Sequence, residues 1–219
     1  ARKNLKADKK YQFEIDTLEK VKKVLEEGKS ARTIELNDEE KETIKDAFLL
    51  TMKPILYIAN VSENELENPD ANENVQKVKE YAKTENAEVI PLCVKLEEEL
   101  STLEKEDKLE MLHELGLEES GLDKVIKASY KLLGLMSFLT AGEPEVRAWT
   151  IKIGTKAPKA AGKIHSDIER GFIRAEVVSY DDLMREGSMN AVKEKGLMRL
   201  EGKDYIMQDG DIVLFRFNV

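Results

Sequence analysis

Residues 54–59, Pro-Ile-Leu-Tyr-Ile-Ala, make a short unbroken apolar run with a proline at its head and Asn60 directly after it. A run of this kind suits a strand buried on both faces, as in a parallel sheet. A polar stretch rich in Asn and Glu follows, then helical spacing through Val75, Val78 and Tyr81. Val89-Ile90-Pro91-Leu92 reads as a second short strand. Helical spacing resumes through Leu96, Leu100 and Leu103, through Leu109, Leu112 and Leu115, and from Leu122 to Leu135. Strand, helix, strand, helices is the order of an α/β domain. Two strands make a poor parallel sheet, because a central strand needs a neighbour on either side. The expectation is half of such a domain.

Upstream, Ile15, Leu18, Val21 and Leu25 share one face of an amphipathic helix, with Gly28 as its stop. Asn37 and Glu40 form a capping-box pair. They open a helix that carries Ile44, Ala47 and Phe48 inward and ends before Pro54. These two segments suit a helical arm. Downstream, Gly142-Glu143-Pro144 breaks the pattern. Trp149, Ile151 and Ile153 alternate as in a half-buried strand, and Ile173, Ala175 and Val177 alternate again. Ser166 and Glu169 read as a second capping pair. Helical spacing covers residues 180–195 and closes at Gly196. Asp209-Gly210 between Tyr205-Ile206-Met207 and Ile212–Phe215 predicts a hairpin. The result is an α+β module of about 75 residues, a size that can fold independently.

The 219 residues carry 35 basic and 44 acidic side chains, and the whole excess lies in residues 51–142, which carry 10 and 19. That middle segment is too acidic for a general nucleic-acid binder. Lys152, Lys156, Lys159 and Lys163 lie in a stretch free of acids. They can meet a phosphate backbone or form an ordinary solvated face. One cysteine, Cys93, excludes an internal disulfide framework and a multi-cysteine zinc site, and with two histidines it leaves little for a transition-metal site. No run approaches the ~20 apolar residues that span a bilayer, and the first residues lack a secretory core. A cytoplasmic chain that meets no membrane is expected.

The most informative residues are Asn60-Val61-Ser62-Glu63, directly after the first strand. Loops at the carboxyl ends of parallel strands are where α/β sheets bind ligands. There the amide can donate to a ring nitrogen and the carboxylate can accept from an exocyclic amine. Leu92-Cys93-Val94 follows the second strand and would offer backbone N–H groups beside the first loop. Cys93 could be a nucleophile but reads as a packing residue, since neither a neighbouring His nor a paired acid is apparent in sequence. His113 reads as a surface or interface position, His165 as part of a turn or alternatively a phosphate contact, and Glu97-Glu98-Glu99 as a solvated face or an N-terminal turn. No Ser–His–Asp arrangement or glycosidase-type carboxylate pair is visible.

The segment Phe48–Glu63 (FLLTMKPILYIANVSE) resembles the base-recognition region of the Obg-like ATPases, the YchF family of P-loop NTPases. Related GTPases carry Asn/Thr-Lys-x-Asp here, where the Asp pairs with guanine. The YchF pattern is Asn-x-x-Glu, and that family prefers ATP. The resemblance implies that Asn60 and Glu63 read adenine, that Val61 lies along the base, and that Val89–Val94, with Cys93 and Val94, is the second base-contacting loop. Pro158–Asp167 (PKAAGKIHSD) and Gly171–Val177 (GFIRAEV) resemble the signature of the family's TGS domain, a ubiquitin-like β-grasp module. Such modules have RNA- or ribosome-linked roles.

The likeness covers essentially all of 1–219. It implies that 1–47 is the returning half of a coiled-coil arm, 48–142 the C-terminal half of a nucleotide-binding domain, and 143–219 the TGS domain. It also implies ATP and Mg²⁺ as substrate and cofactor, with the ribosome or rRNA as partner and no DNA. The P-loop Gly-x-x-x-x-Gly-Lys-Ser/Thr, which cradles phosphates and places Mg²⁺, is missing. Gly154 to Gly162-Lys163 is too widely spaced, and Ile164 follows it. The chain is therefore expected to be the C-terminal part of a longer ATPase, with no catalytic residue and no metal ligand of its own, and inactive alone. The alternative is a non-enzymatic ribosome- or RNA-binding module acting through Lys152, Lys156, Lys159 and Lys163.

Overall fold

A computed structural model describes residues 10–142 and 145–218. The chain divides into two compact units, Ala1–Leu132 and Leu133–Val219. In the first, α1 (Lys10–Glu26) buries Val21 against Ala31, Leu36 and Ile44. Gly28 ends the helix at φ 73°, the left-handed conformation that glycine adopts without a Cβ penalty. The capping box of α2 (Asp38–Thr43) forms as its spacing predicts. Asn37 Oδ1 accepts from Glu40 N–H at 2.8 Å, and the Glu40 carboxylate accepts from Asn37 N–H at 3.0 Å. Glu40 also pairs with Lys20, which fastens α2 to α1. The helix is shorter than expected. It stops at Thr43, and 3-10 turns at Lys45–Ala47 and Leu50–Met52 replace its continuation. Ile44 is buried, but Phe48, at φ 46°, is turned outward and is 83% exposed.

The α/β portion follows in the expected order: β1 (Leu56–Asn60), α3 (Glu73–Thr84), β2 (Glu88–Leu92), α4 (Val94–Ser101), α5 (Lys105–Glu114) and α6 (Gly121–Leu132). The two strands are parallel, with Leu56 opposite Glu88 and Asn60 opposite Leu92. Ala59 and Val61 pack on Val75 of α3. Burial on both faces, as expected for β1, is incomplete: Ile58 is 51% exposed. Among the described residues β1 has β2 as its only strand neighbour. A buried tie joins this portion to the segment after α1. Glu85 accepts from the Tyr57 hydroxyl at 2.6 Å and from Arg32 Nη1 at 3.1 Å. Hydrogen bonds from Ser30 and Tyr57, with Arg32 adding its charge, hold the Glu85 carboxyl below its ordinary value. The Glu85 acceptor and burial push the Tyr57 phenol up to about 12.

The second unit contains β3 (Leu135–Ala141), β4 (Val146–Lys152), α7 (Ala157–Ile164), α8 (Ser166–Arg170), β5 (Phe172–Ser179), α9 (Tyr180–Glu186), α10 (Met189–Glu194), β6 (Arg199–Glu201) and β7 (Asp211–Phe217). Its sheet runs β4-β3-β7-β5-β6, with β3 and β7 parallel and the other pairs antiparallel. Ala157, Ala160 and Ala161 let α7 lie close over Phe138, Ile151, Val177 and Phe215. Burying each large apolar side chain of that core contributes about 1.5–3 kcal/mol. Asp211, 1% exposed, accepts from the Tyr205 hydroxyl at 2.8 Å, from Gln208 N–H at 2.9 Å and from Arg199 at 3.2 Å.

Several expectations change here. Helical spacing to Leu135 concealed β3. The helix ends at Leu132, Gly134 takes φ 62°, and Met136 and Phe138 then alternate into the sheet core. The unit thus begins at Leu133 rather than 143, and the expected break at Glu143-Pro144 lies outside the described residues. Asp209-Gly210 makes no hairpin. Residues 205–207 form only an isolated bridge, Ile206 to Lys156, while β7 enters between β3 and β5 and gains two neighbours instead of one. Asp209 instead accepts from Ser137 N–H at 2.8 Å. A bulge between Phe172 and Arg174 sends Phe172 inward and Ile173 outward, against simple alternation. Gly187, at φ 77°, divides 180–195 into two helices.

Candidate functional site

Parallel pairing brings the carboxyl ends of β1 and β2 level. Asn60 stands opposite Leu92, and Val61 N–H donates to the Leu92 carbonyl at 2.9 Å. The two loops singled out from sequence therefore lie side by side. Asn60 Oδ1 accepts from Val94 N–H at 3.1 Å. With its oxygen committed, the amide has Nδ2 left to donate. Val94 N–H, expected to face a ligand, is consumed by this bond. The Val94 side chain is exposed, whereas that of Val61 is buried with Ala59 and Val75. An apolar surface for a flat ligand is thus offered by Val94 rather than by the Val61 side chain.

Glu63 opens a 3-10 turn, Glu63–Glu65. Its side chain is exposed and makes no hydrogen bond or ion pair among the described residues, while its carbonyl accepts from Leu66 N–H at 3.1 Å. Glu65, which the sequence reading passed over, behaves in the opposite way. Its Oε2 accepts from Ser62 N–H at 2.9 Å and from the Ser62 hydroxyl at 2.6 Å, and its Oε1 accepts from Asn72 Nδ2 at 2.7 Å. The Ser62 hydroxyl is the largest cause that holds this carboxyl below its ordinary value. Ser62-x-x-Glu65 is a capping-box spacing, so the signal was present in the sequence.

Behind the second loop, Cys93 is buried with Leu96, Leu100 and Leu112, in keeping with a packing residue. Glu97 is no solvated side chain. Its Oε1 accepts from Gly121 N–H at 2.7 Å and its Oε2 from Leu122 N–H at 3.0 Å, so it caps the positive end of α6. A Cβ on Gly121 would stand 2.7 Å from Leu92 Cβ, so only glycine admits this approach.

In the second unit the lysine cluster is less basic than its sequence suggested. Lys156 pairs with Asp204 at 2.7 Å and Lys159 with Glu169, two acids brought in from outside the stretch. Lys152 and Lys163 make no ion pair among the described residues. Ser166 and Glu169 do not form the expected capping pair. His165 is the cap of α8, with Nδ1 accepting from Asp167 N–H at 3.2 Å. Among the described residues there is no group of three or more His, Cys, Asp or Glu side chains that could hold a metal ion, and no helix is long and apolar enough to cross a membrane.

Comparison with known proteins agrees with this architecture. The family model YchF-GTPase_C, described as a protein of unknown function (DUF933), matches residues 135–218. The Ribosome-binding ATPase YchF of Bacillus subtilis (strain 168) is 58% identical over 212 residues, which cover 97% of this chain and 58% of that protein. Obg-like ATPase 1 of Rattus norvegicus is 46% identical over 215 residues, 96% of this chain and 54% of that protein. The structure of the Schizosaccharomyces pombe YchF GTPase matches with a TM-score of 0.79 at 36% identity, over 97% of this chain and 56% of that one. The chain thus spans a little over half the length of the curated relatives it matches. Its five-stranded sheet is consistent with a TGS domain. Identity runs through both units and the fold follows it, so over the stretch they share this chain is similar to the YchF family of Obg-like ATPases.

Proposed function

We propose that this chain supplies the base-reading part of a cytoplasmic ATP-hydrolysing protein and, in its TGS-like unit, a ribosome- or RNA-binding module. One observation carries the reading: the Asn60 side-chain oxygen is committed to Val94 N–H, while the Glu63 carboxylate has no partner among the described residues. Adenine presents N7 as an acceptor and its N6 amine as a donor. Asn60 Nδ2 donates to the ring nitrogen, the Glu63 carboxylate accepts from the amine, and the exposed Val94 side chain lies against the ring. Guanine carries the acceptor O6 in place of that amine, which a carboxylate repels. Cys93 and Val61 hold the two loops from behind.

The half-domain reading is supported by the uncovered Ile58 and by β1 having a single strand neighbour among the described residues. Residues 10–47 then belong to the returning half of a helical arm. Among the described residues there is no group of three or more His, Cys, Asp or Glu side chains to hold Mg²⁺, and the reading places no step of hydrolysis on them. Phosphoryl transfer rests on positioning and charge neutralisation, and those groups belong to the remainder of the protein. The names of the bacterial relatives support ATP and the ribosome, and the word GTPase in the yeast structure's name makes base choice the property to measure.

In a full-length protein carrying this sequence, Glu63→Asp should reduce the preference for ATP over GTP by about tenfold in competition binding. An unchanged preference would overturn the reading of the loop. The 219-residue chain alone should show no ATP turnover. Turnover that survives removal of trace contaminants would count against the assignment.

A further inference from the structure

We infer that Glu65 is the positioning residue that holds the Asn60–Glu63 loop in its base-reading shape, and so sets the choice between adenine and guanine nucleotides. The inference rests on the base-reading role proposed for Asn60 and Glu63 and deepens it.

The loop carries two carboxylates, and their surroundings divide the work between them. The Glu63 carboxylate is exposed and unpaired among the described residues, free for a ligand. Both oxygens of Glu65 are filled, one by Ser62 N–H and hydroxyl, the other by Asn72 Nδ2. Asn72 is itself pinned, since its Oδ1 accepts from Asn74 N–H at 2.8 Å and from Val75 N–H at 3.4 Å at the start of α3. The loop is therefore fastened at three points: through Glu65 to α3, through Asn60 to Val94 of α4, and through Val61 N–H to β2. Discrimination of amine from carbonyl requires a carboxylate held within about 0.5 Å of its working position. A loosened loop would let Glu63 swing away from guanine O6 and lose that selectivity.

The chemistry demands a carboxylate at 65. Every group facing it is a donor, and an ionised carboxylate is acceptor-only, with bonds about twice as strong as neutral ones. A glutamine would turn an NH₂ against Ser62 or against Asn72. The Ser62 N–H cannot reverse, and the Asn72 amide cannot flip without abandoning the cap of α3.

The test uses a full-length protein carrying this sequence, with ATP and GTP affinities measured by calorimetry. Glu65→Gln should lower the ATP:GTP affinity ratio by about tenfold while the thermal midpoint stays nearly constant. Asn72→Asp alone should also lower the ratio, because it sets two carboxylates face to face. Combining Glu65→Gln with Asn72→Asp should restore it: the introduced amide donates to the introduced carboxylate, which still caps α3, and its carbonyl still accepts from Ser62. Loss of charge or of packing alone would give no such rescue. Ser62→Ala, which removes only the hydroxyl donor, should lower the ratio about threefold and serves if Glu65→Gln does not fold. If Glu65→Gln leaves the ratio unchanged, or the paired exchange fails to restore it, while Glu63→Ala abolishes the preference, the role of Glu65 is overturned and the reading of the loop stands. If Glu63→Ala leaves the preference intact, the reading itself fails.

Discussion

A side chain's neighbours, more than its type, decide what it does at this site. Asn60 and Glu63 are legible as a four-residue pattern because both lie in one loop. The partners of Asn60 and Glu97 are not, because Val94 and Gly121 are brought to them by tertiary folding. Val61 and Val94 carry the same side chain, yet one is packed into the core and the other is open to solvent. Gly121 shows how little room these contacts leave. With Leu92 Cβ at 2.7 Å and Glu97 Oε1 at 2.8 Å from the place of a Cβ, Gly121→Ala forces the helix start away from β2. The expected cost is about 1–3 kcal/mol, read from urea denaturation. A variant as stable as the parent would mean that the contact relaxes freely.

Between elements, the tie of Arg32 and Tyr57 to Glu85 has the largest expected consequence. Its members come from the segment after α1, from β1 and from the end of α3. Glu85→Ala leaves a largely buried guanidinium without its counter-charge and should destabilise the protein by about 3–5 kcal/mol. The pH dependence follows from the lowered folded value. The carboxylate's contribution is complete above the ordinary value of 4.5 and is lost as pH falls through the folded value. The urea midpoint should therefore fall on acidification below about pH 5, and by less in Glu85→Gln. The lysine cluster is the second element-scale case. Among the described residues Lys152 and Lys163 lack the carboxylate partners that Lys156 and Lys159 have. Replacing the first pair with Gln should flatten the salt dependence of RNA binding by about two units of slope. The same change at Lys156 and Lys159 should do less. Equal losses would show that the ion pairs open on binding, and no loss from either pair would place the RNA face elsewhere.

At the scale of the molecule, the two units differ in how complete they are. The second closes its core: five strands, a helix of small residues over them, and Phe138, Phe172 and Phe215 enclosed. Residues 133–219 should fold alone with one cooperative transition by circular dichroism, a size at which single cores suffice. The first unit instead has a two-stranded sheet among the described residues, with Ile58 of β1 51% exposed.

Local physics settled most of the helices, most caps and the two parallel strands, because periodicity and capping act over a few neighbouring residues. It could not place β7. Asp209-Gly210 favours a hairpin locally, but the gap between β3 and β5 offers two ladders of hydrogen bonds, and that larger gain prevails. It could not separate β3 from a helix either, because Leu132, Leu133, Leu135 and Met136 suit both periods until the sheet core accepts Met136 and Phe138. The locking of Glu65, the capping role of Glu97 and the neutralised lysines all depend on donors and acids brought together by the fold. Sequence determines which groups are present, and tertiary structure decides which of them remain free to act.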